Sequence, residues 1–211
     1  MATFKTHTYI GTGAGIGLSC LAVTMHVLTL PGSILAVFLA AIASSLPDID
    51  SDTGKPRQFV LSALEILCPA IIMVSFAPDF SLENLLLAGI SMFFLIRYPL
   101  GFMIENLTKH RGAWHSVPMA CISSLVIYLI FYRSALSHRL CFAVIFFICF
   151  LSHLLLDEIC ALKYFGLAVK KSFGSALKLT GSTWWQTTFM YMTIIILIGI
   201  CLLEKNAGVK K

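Results

Sequence analysis

Leu46-Pro47-Asp48-Ile49-Asp50-Ser51-Asp52 places three carboxylates within five residues, between two apolar runs. The whole chain has only ten acidic residues. Proline at 47 stops a preceding helix and biases Leu46 out of the helical region. The three aspartates are therefore expected to leave on a turn, free to converge on one point. Carboxylates this close repel, so they need cations, protons or water to relieve them.

The flanking runs set the class. The chain of 211 residues is 58% hydrophobic and 12% charged, with mean hydropathy +0.90. An average soluble domain carries about a quarter charged residues. Apolar runs are expected at residues 8–28, from Pro31-Gly32 to Leu46, and at 59–77, 84–104, 117–132, 140–156 and 187–203. The second is near the lower limit for a span. The prediction is an all-α, polytopic helical membrane protein with about six to seven transmembrane or membrane-embedded helices. It is read as one membrane domain, 1–211, and no cleavable signal peptide is expected. Gly11, Gly13, Gly15 and Gly17 in the first run would let a neighbouring helix approach closely. Pro31-Gly32 reads as a tight turn. The seven cysteines are scattered through apolar runs without a CxxC, which indicates free thiols rather than a disulfide framework or a cysteine-zinc site.

If every run crosses, His7, the Asp48 loop, the segment around His110 and the end of the sixth run share one face. A short second run that failed to cross would separate only His7 from the rest. The shared face carries Lys5, Lys55, Arg57, Lys109, Arg111, Lys163, Lys170, Lys171 and Lys178, against Arg133, Arg139, Lys205, Lys210 and Lys211 opposite. The bias favours a cytoplasmic N-terminus and site.

His153 and Asp157 are four apart and share one helical face. Such a pair either ligates a metal or is a histidine oriented by a carboxylate. The bland alternative is an interfacial His–Asp bond. His110 and His115 are five apart with Gly112 between, so they need a turn or a helix start. Lys109-His110-Arg111 alone is an ordinary membrane-flanking pattern. His7 ends a polar lead and qualifies only by its side. Arg97, inside an apolar run, needs a partner, and Glu105, eight residues on, is the expected one. Together the clusters suit divalent ions held by mixed imidazole and carboxylate, Zn or else Mn, Fe or Co. Paired ions of this kind serve phosphoester hydrolysis. The bland reading of the set is a collection of interfacial polar residues. It leaves unexplained why nearly all the acid–histidine clusters lie on one side.

LPDID (46–50), HRGAWHS (110–116) and SHLLLDE (152–158), with Thr6-His7 ahead of them, resemble the signature blocks of the YdjM-like membrane-bound metal-dependent hydrolases of the bacterial inner membrane. The resemblance covers roughly residues 1–165. It implies metal or catalytic roles for Asp48, Asp50, His110, His115, His153 and Asp157, with His7 a further candidate, and one to three metal ions. A remoter likeness to zinc-dependent phospholipase C and single-strand nucleases implies phosphoester chemistry. After Asp157 the chain reads Glu-Ile-Cys-Ala-Leu-Lys-Tyr-Phe-Gly instead of the threonine-containing stretch of many members.

Lys163, Lys170, Lys171 and Lys178 read as one stripe of an interfacial helix within a basic segment, 163–186, facing anionic lipid. Trp184-Trp185 would sit in an aromatic belt. No basic-aromatic groove argues for nucleic acid. The leading reading is a hydrolase of a lipid or other amphiphilic phosphoester at the cytoplasmic membrane surface. Arg111 would hold phosphoryl oxygens, and Asp52 would act as a general base or support a ligand. Membrane lipid is the expected partner, with the oligomeric state open. The alternatives are a metal-binding or transport protein and a non-enzymatic membrane subunit. Transport would place polar residues near mid-membrane on broken helices; Arg97 with Pro99 is the main feature of that kind.

Overall fold

The structure, a computed structural model, describes residues 3–50, 54–107, 113–163, 168–169, 177–181 and 183–208. It is helical almost throughout, as the apolar runs predict. The helices are α1 (Phe4–Thr24), α2 (Leu30–Ala43), α3 (Lys55–Phe76), α4 (Leu82–Leu95), α5 (Gly101–Leu107), α6 (Val117–Ile130), α7 (Leu136–Ala161) and α8 (Trp184–Gly208). A 3-10 turn, Leu46–Asp50, follows α2, and a π-turn, Ile96–Leu100, joins α4 to α5. Among the described residues, Leu30–Asp50, Lys55–Phe76, Leu82–Ile104, Leu136–Ala161 and Trp184–Glu204 are long and apolar enough to cross a membrane, with Val117–Ile130 shorter.

Local chemistry sets the helix starts. The side chains of Thr3, Thr29 and Ser116 each accept a backbone N–H of the first turn of α1, α2 and α6, which satisfies a donor that helix geometry leaves over. α1 thus begins at Phe4, and His7 lies on its first turn rather than in a polar lead. Pro31 and Gly32 are not the expected turn but lie inside the first turn of α2, where proline lacks only an N–H the helix does not use. The reversal is made earlier, with His26 at φ 56°. α2 stops at Ala43, ahead of Pro47.

The described chain divides into two compact units, residues 1–47 with 112–211 and residues 48–111. In the first, α1 packs on α2 and α7, α2 on α7, and α6 on α7 and α8. The contact of α1 with α2 is made possible by two of the four glycines. A Cβ on Gly11 would overlap Ser44, and one on Gly15 would overlap Ala40, whereas Gly13 and Gly17 have nothing within 4 Å. Small-residue contacts of this kind hold helices together where lipid removes the hydrophobic drive. Arg139, expected in a loop, is buried near the start of α7 and pairs with Glu204 of α8. Its guanidinium also lies 3.9 Å from the Tyr128 ring centroid.

In the second unit α3 packs against α4. Arg97 bonds to Glu65 of α3 at 3.1 Å; the side chain of Glu105, the expected partner, lies outside the described residues. Arg97 and Glu65 both lie within apolar spans. Pro99 sits in the π-turn, where its missing N–H is accommodated by the wider ladder.

The start of the basic segment is not helical. Leu162 pairs with Val169 and Lys163 with Ala168 in a short antiparallel ladder. Lys170 and Lys171 lie outside the described residues. Trp184 and Trp185 open α8, exposed, with ring centroids 3.7 Å apart.

Candidate metal centre

Four side chains from two helices and one turn of the first unit meet in its interior. His153 and Asp157 project from one face of α7, a turn apart, and both are buried. His7 comes from the first turn of α1. His115 lies on the turn before α6, where Ser116 donates to the Ala113 carbonyl at 2.6 Å and caps the helix. His7, His115 and His153 are each at most 2% exposed.

The contacts orient the rings. His153 Nδ1 lies 2.7 Å from the Ser44 carbonyl oxygen. A carbonyl only accepts, so Nδ1 carries the hydrogen and Nε2 the lone pair. An imidazole held in this way by a backbone carbonyl is the usual arrangement of a metal ligand. His7 Nε2 lies 3.2 Å from Asp157 Oδ1. If that nitrogen donates to the carboxylate, the lone pair of His7 is on Nδ1. Among the described residues this Nδ1 is buried and has no hydrogen-bond partner. A buried polar atom left so is costly, and a cation is the natural relief. The His7 and His153 rings stack with centroids 3.7 Å apart. His115 Nε2 is 3.9 Å from Asp157 Oδ2, and its ring meets that of His153 edge-on at 5.6 Å.

One ligand atom from each of His115, His153 and Asp157 lies within 4.8 Å of the others. A tetrahedral ion about 2.1 Å from each donor holds them about 3.4 Å apart, so adjustments of about an ångström would close the set. Imidazole nitrogen and carboxylate oxygen are the donors that borderline divalent ions take. The buried histidines and aspartate can therefore coordinate a metal.

The helical spacing of His153 and Asp157 comes out as expected. His7, the weakest candidate in the sequence, is in the middle of the group. Asp48 and Asp50 stand on the 3-10 turn Leu46–Asp50 and belong to the second unit. Asp52, His110 and Arg111 lie outside the described residues. Sequence reasoning missed Ser44, which acts through its backbone carbonyl and so leaves no residue-type signal. It also passed over Glu158, buried beside Asp157 and accepting the Leu177 N–H at 3.3 Å.

A family model described as YdjM inner membrane protein matches residues 1–206. No curated protein and no solved structure matches the chain. The match spans every helix that contributes to the His/Asp group, and its inner-membrane description agrees with the apolar helices. This chain belongs to the YdjM inner membrane protein family.

Proposed function

We propose that the protein is a metal-dependent hydrolase of the inner membrane that acts on a phosphoester of a lipid or other amphiphilic molecule. The observation that carries the reading is the buried set of His115, His153 and Asp157, with donors within 4.8 Å of one another. His153 supplies Nε2 because Ser44 holds its Nδ1–H. His7 braces Asp157 and offers Nδ1 as a further donor. Asp48 and Asp50 are the proposed carboxylates of a second ligand set, four and six residues beyond Ser44 in the chain, with His110 as its imidazole. Arg111 suits a phosphoryl oxygen through its planar fork of donors, and Asp52 is the proposed general base. When bound, a divalent ion, with zinc favoured by the donor set, supplies Lewis acidity toward a phosphoryl oxygen and toward water.

The proposed arrangement is multi-pass, with the site on the cytoplasmic side, following the Lys and Arg bias. A helix-end site at the membrane surface fits a substrate whose headgroup lies in the interface. Purified protein supplied with zinc or manganese should release phosphate from a panel of phospholipids and polyprenyl phosphates, and His153→Ala should not. Equal release by both proteins would contradict the reading.

A second reading, cation transport, is favoured by one observation: the Arg97–Glu65 pair and Pro99 π-turn within the α3 and α4 spans. Zinc flux into proteoliposomes that disappears on Glu65→Leu, with no hydrolysis of any phosphoester, would replace the hydrolase reading with this one.

A further inference from the structure

Glu158 follows Asp157 on α7 and is buried, although neither the ligand set nor the proposed chemistry calls for it. Burying a carboxylate is costly unless its oxygens find donors. One donor is the N–H of Leu177, 3.3 Å from Oε1. The next residue, Lys178, gives its carbonyl to the N–H of Val117 at 3.0 Å. Val117 is the first residue of α6 and stands two residues after His115. Leu177 and Lys178 thus form a backbone bridge. One end is fixed beside Asp157 and the other beside His115.

The bridge is also tied to α8. The Tyr191 hydroxyl donates to the Leu179 carbonyl at 3.0 Å, and the Gly181 N–H donates to Thr187 Oγ1 at 3.0 Å. Its place matters because His115 stands further from Asp157, at 3.9 Å, than His7 does at 3.2 Å. His153 and Asp157 hold their spacing through one helix. His115 comes from a turn, and its distance from them depends on what ties that turn to the end of α7.

We infer that Glu158 is a positioning residue of the metal centre: through Leu177 and Lys178 it sets the separation of His115 from His153 and Asp157. The consequence for metal rests on the metal-centre reading, while the bridge can be measured apart from it.

The test uses the full chain in detergent, as wild type, Glu158→Ala, Glu158→Gln and Leu177→Pro. Leu177 is exposed, so its proline variant removes the donor while leaving α7 untouched, and it keeps the test open should Glu158→Ala fail to fold. Zinc affinity is read by chelator competition, ligand number by the visible bands of bound cobalt, and the bridge by amide exchange at Val117. Glu158→Ala and Leu177→Pro should weaken zinc binding about 10- to 100-fold, alter the cobalt bands and speed exchange at Val117. Glu158→Gln keeps a carbonyl acceptor at the same reach and should restore all three. Wild-type zinc affinity and exchange in both Glu158→Ala and Leu177→Pro would overturn the inference. So would a Glu158→Gln that fails as Glu158→Ala does, since the charge and not the acceptor would then matter. If wild type takes up no zinc or cobalt, the metal reading fails, and exchange at Val117 alone decides the bridge.

Discussion

Gly11 faces Ser44 with no room between them for a side chain: a Cβ on Gly11 would overlap the Ser44 Cβ. The Ser44 carbonyl in turn accepts from His153 Nδ1, so one residue serves both the α1–α2 contact and the tautomer of an imidazole. Gly11→Ala should push the end of α2 off α1. We expect it to cost about 1–3 kcal/mol, as overpacking does, and to weaken metal binding as well. Gly13→Ala has nothing within 4 Å to meet and should leave both unchanged, or raise stability through helix propensity. Thermal unfolding in detergent and zinc titration of the two variants check this; identical behaviour would contradict it.

His7 makes two kinds of contact, a stack on His153 and a polar contact to Asp157. His7→Phe keeps an aromatic ring for the stack but has neither nitrogen. It should retain most of the protein's thermal stability while losing about 10- to 100-fold in metal affinity. His7→Ala should lose both. A phenylalanine variant with wild-type metal affinity would restrict His7 to packing.

Arg97 and Glu65 form an ion pair inside apolar helices. Removing one partner leaves a charge in the span, which is worse than removing both. Glu65→Leu should therefore lower the amount of folded protein in the membrane more than Glu65→Leu combined with Arg97→Leu. Quantitation of membrane extracts checks the order, and a double variant lower than the single would contradict the pairing.

The proposed orientation has a direct readout. Arg139 pairs with Glu204 near the C-terminal end of α8, and Arg139 and His153 stand fourteen positions apart on α7, about 21 Å along the axis. The C-terminal end of α8 thus lies away from the site. With the site cytoplasmic, alkaline phosphatase fused after Lys211 should be active and a green fluorescent protein fused there should be dark. The reverse pattern would put the site on the periplasmic side.

Features that depend on one segment were legible in the sequence. The apolar runs follow from hydropathy, and the shared face of His153 and Asp157 follows from helical spacing alone. Features that depend on which helices touch were not. His7 looked like part of a polar lead because the Thr3 cap that starts α1 ahead of it is a weak signal. Its meeting with His153 needs α1 packed on α7. Four glycines looked equivalent, and only the packing separates Gly11 and Gly15 from Gly13 and Gly17. Arg97 shows in the sequence only as a charge in need of a partner, and the one it bonds, Glu65, is on the neighbouring helix, 32 residues away. The spacing of the lysines suggests a helix, but Leu162 and Lys163 pair with Val169 and Ala168 instead.

Whether the four buried side chains hold an ion is read from the metal content of the protein. Protein purified in detergent without chelator should carry stoichiometric zinc or manganese. His153→Ala and Asp157→Ala, folded by circular dichroism, should carry almost none. Folded wild-type protein without metal, and unable to take up zinc or manganese when these are added, would contradict the account. Metal retained in full by both variants would contradict it equally.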